Sequence, residues 1–140
     1  MGKILCATRG GEDSYQTQDK AIDLAKEQGD TLVFLYVIDL HFLDKTAAPI
    51  MVDVEEELNN MGEFLLLMAK ERAKEQGIIA ETISRKGNVR ENIKSTAQEI
   101  GATLIVLGRP SGEDSAFRMA DLVAFAFVIE SDTGVEVKIV

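Results

Sequence analysis

The sequence predicts an α/β fold in which a parallel β-sheet is built through right-handed crossovers, with helices on both of its faces. Three observations lead there. Short apolar runs alternate with longer stretches of helix formers along the chain. Two of those runs, at 31–38 and 103–107, are apolar at nearly every position, as strands covered from both sides are. Glycine follows the helical stretches at 29, 77 and 101, where a left-handed cap ends a helix. One hydrophobic core accounts for 140 residues, so a single domain over residues 1–140 is expected.

The first strand is read from Lys3 to Thr8, ended by Arg9-Gly10-Gly11, and the first helix from Ser14 to Gln28, with Ala21, Ile22 and Ala25 on one face. Thr31 to Ile38 is β-branched and aromatic and forms the second strand. Residues 39–52 hold Pro49 and show no period, which predicts a long loop. Val54, Leu58, Met61, Leu65 and Met68 then recur at steps of four and three, which predicts a long helix with that stripe turned to the core. Ile78 to Ser84 reads as the third strand, and Asn88 with Glu91 as a capping box for a helix burying Val89, Ile93, Ala97 and Ile100. Thr103 to Leu107 is the fourth strand. Leu122 to Ile129 is apolar throughout, which predicts burial on more than one side; it reads as a helix starting between Ser111 and Ala116, with a strand as the alternative. Ser131-Asp132-Thr133-Gly134 reads as a turn, and the alternation from Val135 to Val140 predicts a half-exposed edge strand.

Composition narrows the partners. With 24 Asp and Glu against 15 Lys and Arg, the net charge of -9 argues against nucleic-acid binding and against an anionic membrane surface. One Cys forbids an internal disulfide and fits a reducing, cytoplasmic setting. No paired Cys or His spacing offers a zinc site, and the N-terminal apolar run is too short for a signal peptide or a membrane span.

In an open parallel sheet, ligands sit outside the carboxyl ends of the strands, where strand order reverses. The expected crevice residues are therefore Ala7, Thr8 and Arg9 after the first strand, Val37 near the end of the second, and Gly108, Arg109 and Gly112 after the fourth. Gly-containing turns at helix N-termini can present N–H groups to an anion, with Arg9 and Arg109 adding charge, but such turns are also sterically required without a ligand. No G-x-G-x-x-G follows the first strand and no G-K-[ST] occurs, which argues against a dehydrogenase or a P-loop NTPase. A phosphorelay receiver would need acids after the first strand, where Thr8 and Arg9 stand. His41, the one histidine, has no assignable orienting acid or nucleophile; Cys6 lies mid-strand as an inert thiol; Asp39 has the position of a ligand contact, although capping and loop solvation are the more common uses of such a residue. No catalytic residue and no metal ligand is assigned.

Lys3-Ile4-Leu5-Cys6-Ala7-Thr8, Leu35-Tyr36-Val37-Ile38-Asp39, Gly87-Asn88-Val89-Arg90-Glu91-Asn92-Ile93 and Ala102-Thr103-Leu104-Ile105-Val106-Leu107-Gly108 together resemble a universal stress protein domain over nearly the whole chain. The resemblance implies a five-stranded parallel sheet of order 3-2-1-4-5, Rossmann-like and of the adenine nucleotide alpha hydrolase-like type. It also implies a cytoplasmic role in stress adaptation and a homodimer, here placed on the strand from Val135 to Val140.

Members of that family either bind ATP or do not. Those that bind it share an Asp closing the first strand, a Val near the end of the second, and a G-x-x-G-x9-G-[ST] loop after the fourth. Val37 and Gly108 match this pattern. Arg9 replaces the Asp, Gly112 stands one residue too far on, and Ala120-Asp121 occupies the region of the final Gly-Ser. A carboxylate there would repel phosphates and Ala has no hydroxyl to donate. The expectation is therefore a nonenzymatic, dimeric module without a cofactor, ATP in the usual pose being disfavoured. The alternative is a switch binding a nucleotide or another small anion in the crevice, with Arg9 and Arg109 gripping phosphate directly.

Overall fold

The computed structural model describes residues 2–8, 12–38, 48–109 and 115–140, with side chains at 2–8, 14–38, 56–109 and 119–140. The chain runs β1 (Lys3–Ala7), α1 (Glu12–Gln28), β2 (Thr31–Ile38), α2 (Ala48–Glu75), β3 (Glu81–Lys86), α3 (Val89–Ile100), β4 (Leu104–Leu107), α4 (Ser115–Thr133) and β5 (Glu136–Ile139). The strands form one parallel sheet of order β3-β2-β1-β4-β5, the order expected. Alternate residues of the central strands point to opposite faces, which divides the core in two. Ile4, Cys6, Leu32, Phe34 and Val106 meet α1 and α2; Leu5, Val33, Leu35 and Ile105 meet α3 and α4.

Local chemistry accounts for the boundaries. Asn88 caps α3 by accepting the Glu91 N–H on its Oδ1 at 2.9 Å, and Gly101 ends that helix at φ 70, a conformation that favours glycine. Pro49 sits in the first turn of α2, where its missing N–H has no helical acceptor to lose. The loop expected over 39–52 therefore ends by Ala48, and its part at 39–47 lies outside the described residues.

Three further expectations are corrected. The third strand begins at Glu81, three residues later than the reading from Ile78. It is a sheet edge and needs only alternating burial, while Ile79 in the preceding connection is 85% exposed. Of the turn expected at 131–134, residues 131–133 are the last turn of α4 and Gly134 follows it at φ 74; Thr133 Oγ1 closes the end by donating to the Ile129 carbonyl and accepting the Val135 N–H. The third correction concerns α2. The stripe of Leu58, Met61, Leu65 and Met68 is not its core face; Gly62, Leu66, Ala69 and Ala73 are buried instead. Small residues win because the helix lies close on the sheet: a Cβ at Gly62 would come within 2.7 Å of the Tyr36 ring.

The segment 122–129 is helical, which settles the alternative left open above. Only Ala126 and Ile129 are buried, Leu122 and Phe125 half-buried, while Val123, Phe127 and Val128 remain exposed, Phe127 at 71%. Within one chain the segment is thus covered on one side rather than on more than one.

Candidate functional site

The order of the sheet reverses between β1 and β4, so the ligand crevice of this architecture lies outside their carboxyl ends. Ala7 closes β1, and Gly108 and Arg109 follow β4. Arg9 and Gly112 lie outside the described residues, as do Asp39 and His41. The remaining candidates divide between the two faces of the sheet. Ala7 and Val37 are half-buried against the cluster under α3 and α4. Thr8 and Gly108 turn toward α1.

Around Thr8 and Gly108 the structure places two side chains that the sequence reading missed. Thr8 is buried; its N–H donates to the Leu35 carbonyl at 2.9 Å, and its Oγ1 accepts from Gln18 Nε2 at 2.9 Å. Gln18 is itself buried, and its Oε1 has no hydrogen-bond partner among the described residues. Thr17, the next buried polar residue of α1, lies against Gly108 so closely that a Cβ there would collide with Thr17 Oγ1. Gly108 is therefore required by the packing of α1 across the end of β4. Gln18 stands three and four residues before Ala21 and Ile22 on the helix, so a polar residue on a core-facing row was the available signal.

Among the described residues, two backbone donors at the mouth are already engaged. The Arg109 N–H donates to the Val140 carbonyl at 3.0 Å, which continues the β4–β5 ladder past the end of β4. With the Thr8 N–H also taken, neither amide is free to cradle an anion. The Arg109 side chain is exposed, and Ala120 and Asp121 stand exposed in the second turn of α4. Cys6, one residue below Ala7, is fully buried, and burial pushes its thiol up to about 12, so it offers no nucleophile at neutral pH.

Comparison with known proteins agrees with this architecture. Universal stress protein YxiE from Bacillus subtilis (strain 168) is 33% identical over 77% of this chain and 78% of its own length. The structure of universal stress protein UspA from Lactobacillus plantarum superposes with a TM-score of 0.81 at 17% identity, covering 99% of this chain and 97% of that one. A universal stress protein solved in complex with cAMP gives 0.72 at 20% identity over 99% and 96%; at these identities the likeness is one of fold. The sequence profile described as the Universal stress protein family matches residues 1–119. A profile match over most of the chain, joined to a 33% identical relative, places this chain in the universal stress protein family.

Proposed function

We propose that this member of the family is a nonenzymatic, cytoplasmic stress-adaptation module that works as a symmetric homodimer and through contacts with other proteins, without holding ATP in the family's usual pose. Family membership supports the stress-related role. The observation that carries the dimer is the pair of unsatisfied surfaces at one end of the sheet. Among the described residues β5 is an edge strand bonded to β4 alone, and the adjoining α4 leaves Val123, Phe127 and Val128 exposed. Val140 spends both its N–H and its carbonyl on the β4 side, so by the alternation of a strand Val137 and Ile139 present theirs outward. Antiparallel pairing of two such edges about a two-fold axis satisfies those groups.

Departure from ATP is supported by Ala120-Asp121, an acid with no hydroxyl beside it in the region where ATP-binding relatives carry Gly-Ser, and by the engaged amides of Thr8 and Arg109. A second reading is favoured by the relative solved with cAMP: the crevice takes a nucleotide or small anion through the arginines. In that case Arg9→Ala and Arg109→Ala each weaken the ligand by about 1.5 to 3 kcal/mol.

Light scattering after size exclusion tests the dimer. At about 100 μM, well above a Kd of about 10 μM, the dimer mass is expected. Val137→Pro, which deletes an outward donor, and Phe127→Asp, which charges the apolar face, are expected to return the monomer mass. A wild-type monomer at that concentration refutes the dimer, and a dimer unmoved by both changes refutes this interface.

A further inference from the structure

The long helix α2 is apolar on two opposite sides. Its inner side, Gly62, Leu66, Ala69 and Ala73, lies on the sheet. At 100° per residue, Phe64 lies diametrically opposite, with Met61, Leu67 and Met68 within about 60° of it. All four are exposed: 52% for Met61, 60% for Phe64, 53% for Leu67 and 41% for Met68. The same outward stripe carries Glu57 one turn before the patch and Glu71 and Glu75 beyond it, each within about 20° of Phe64. Lys70 and Lys74 stand about 80° or more away. The neighbouring cation, Arg72, is held bidentate by Asp19 at 2.8 and 3.1 Å and stacks on Tyr15, 4.3 Å from the ring centroid. Beside the patch, α1 and α2 leave a groove of about 340 Å³ lined by Tyr15, Leu65 and Met68, with Gln18 also in its wall.

We infer that this outer face of α2 docks an amphipathic helix of a partner protein, with its apolar side on Met61, Phe64, Leu67 and Met68 and its basic residues on Glu57, Glu71 and Glu75. Charge selects this occupant. A second copy laid antiparallel on the patch would set Glu57 of each chain against Glu71 and Glu75 of the other, and like charges repel. An anionic membrane is opposed by the same glutamates. Two flexible methionines among the four contact residues suit a groove that receives helices. The inference rests on the reading that the chain acts through protein contacts, but it uses a surface separate from β5, so the two fail independently.

The test is fluorescence anisotropy with a synthetic helix of about 18 residues made of Leu and Lys in amphipathic order. Binding is expected, at least about tenfold weaker for the peptide with Glu in place of Lys. Phe64→Ser with Met68→Ser, and separately Glu57→Lys with Glu71→Lys and Glu75→Lys, are each expected to weaken it by at least about tenfold, and the second loss to shrink in high salt. All five positions are exposed, so circular dichroism and thermal midpoints are expected to stay at wild-type values. Hydrogen exchange on the unmodified protein is expected to slow over 57–75 when the peptide is added. Reversal at Asp23, Glu27 and Glu130 makes the same change in net charge elsewhere. An equal loss there, or unchanged affinity in the α2 variants, overturns the proposal. So does a lower oligomer mass on Phe64→Ser, which would make the face a contact between copies, or Phe64-dependent binding to phosphatidylglycerol vesicles.

Discussion

Gly108 gives the sharpest test of how the crevice is built. Adding one methyl, Gly108→Ala, places a Cβ on Thr17 Oγ1 inside a distance that real Cβ atoms do not show, with Thr17 Cβ at 3.5 Å and Cγ2 at 3.6 Å behind it. Thr17 is buried and β-branched on a helix, so its χ1 is confined to two rotamers and its retreat is restricted. Overpacking of this kind costs about 1–3 kcal/mol. Thr17→Ala removes Oγ1 and Cγ2 and leaves its Cβ at 3.5 Å from the new methyl, an ordinary contact. The double variant is therefore expected to be more stable than the sum of the single losses predicts, with a coupling of about 1–2 kcal/mol. Urea unfolding followed by circular dichroism supplies the four free energies. Gly108→Ala as stable as wild type, or strictly additive losses in the double variant, would refute the account in which α1 fills the end of β4.

Two further predictions follow from burial. The Cys6 thiol is raised from 9.0 to about 12, so above pH 9 the unfolded chain ionises while the folded one does not; stability is whole below pH 9 and is lost as pH rises toward 12. Between pH 8 and pH 10 the wild type is expected to lose about 1.4 kcal/mol more than Cys6→Ala in urea titrations, and equal losses would contradict a buried thiol. Gly62→Ala drives a methyl toward the Tyr36 ring at 2.7 Å and is expected to cost about 1–3 kcal/mol despite the better helix propensity of Ala; a gain in thermal midpoint would show that α2 does not lie this close.

The sheet was legible because its central strands are continuous apolar runs and its helices end at glycines. Both signals act within a few residues, and Gly29, Gly77 and Gly101 do adopt positive φ. The orientation of α2 was not legible, because apolar residues occupy two opposite sides of that helix and periodicity favoured the larger set. Volume decided the matter: only Gly62, Ala69 and Ala73 permit the close approach, and a pattern that counts apolar residues is blind to close contact. The edge strand β3 was misplaced for a related reason, since Ile78 and Ile79 look like a strand start while Glu81–Lys86 needs apolar residues on one face alone. At the crevice, the positions of Thr8 and Gly108 followed from topology. The role of α1 did not, because Gln18 and Thr17 come to those residues only through the tertiary packing of a helix whose polar residues read as solvent-facing.

Isothermal titration calorimetry with Mg-ATP tests the functional account most directly. With Ala120-Asp121 in the region of the Gly-Ser of ATP-binding relatives and the Thr8 and Arg109 amides engaged, a Kd no tighter than about 1 mM is expected, roughly 4 kcal/mol of binding. A Kd of about 10 μM or below, roughly 7 kcal/mol, would contradict it and return the crevice to the nucleotide-binding reading.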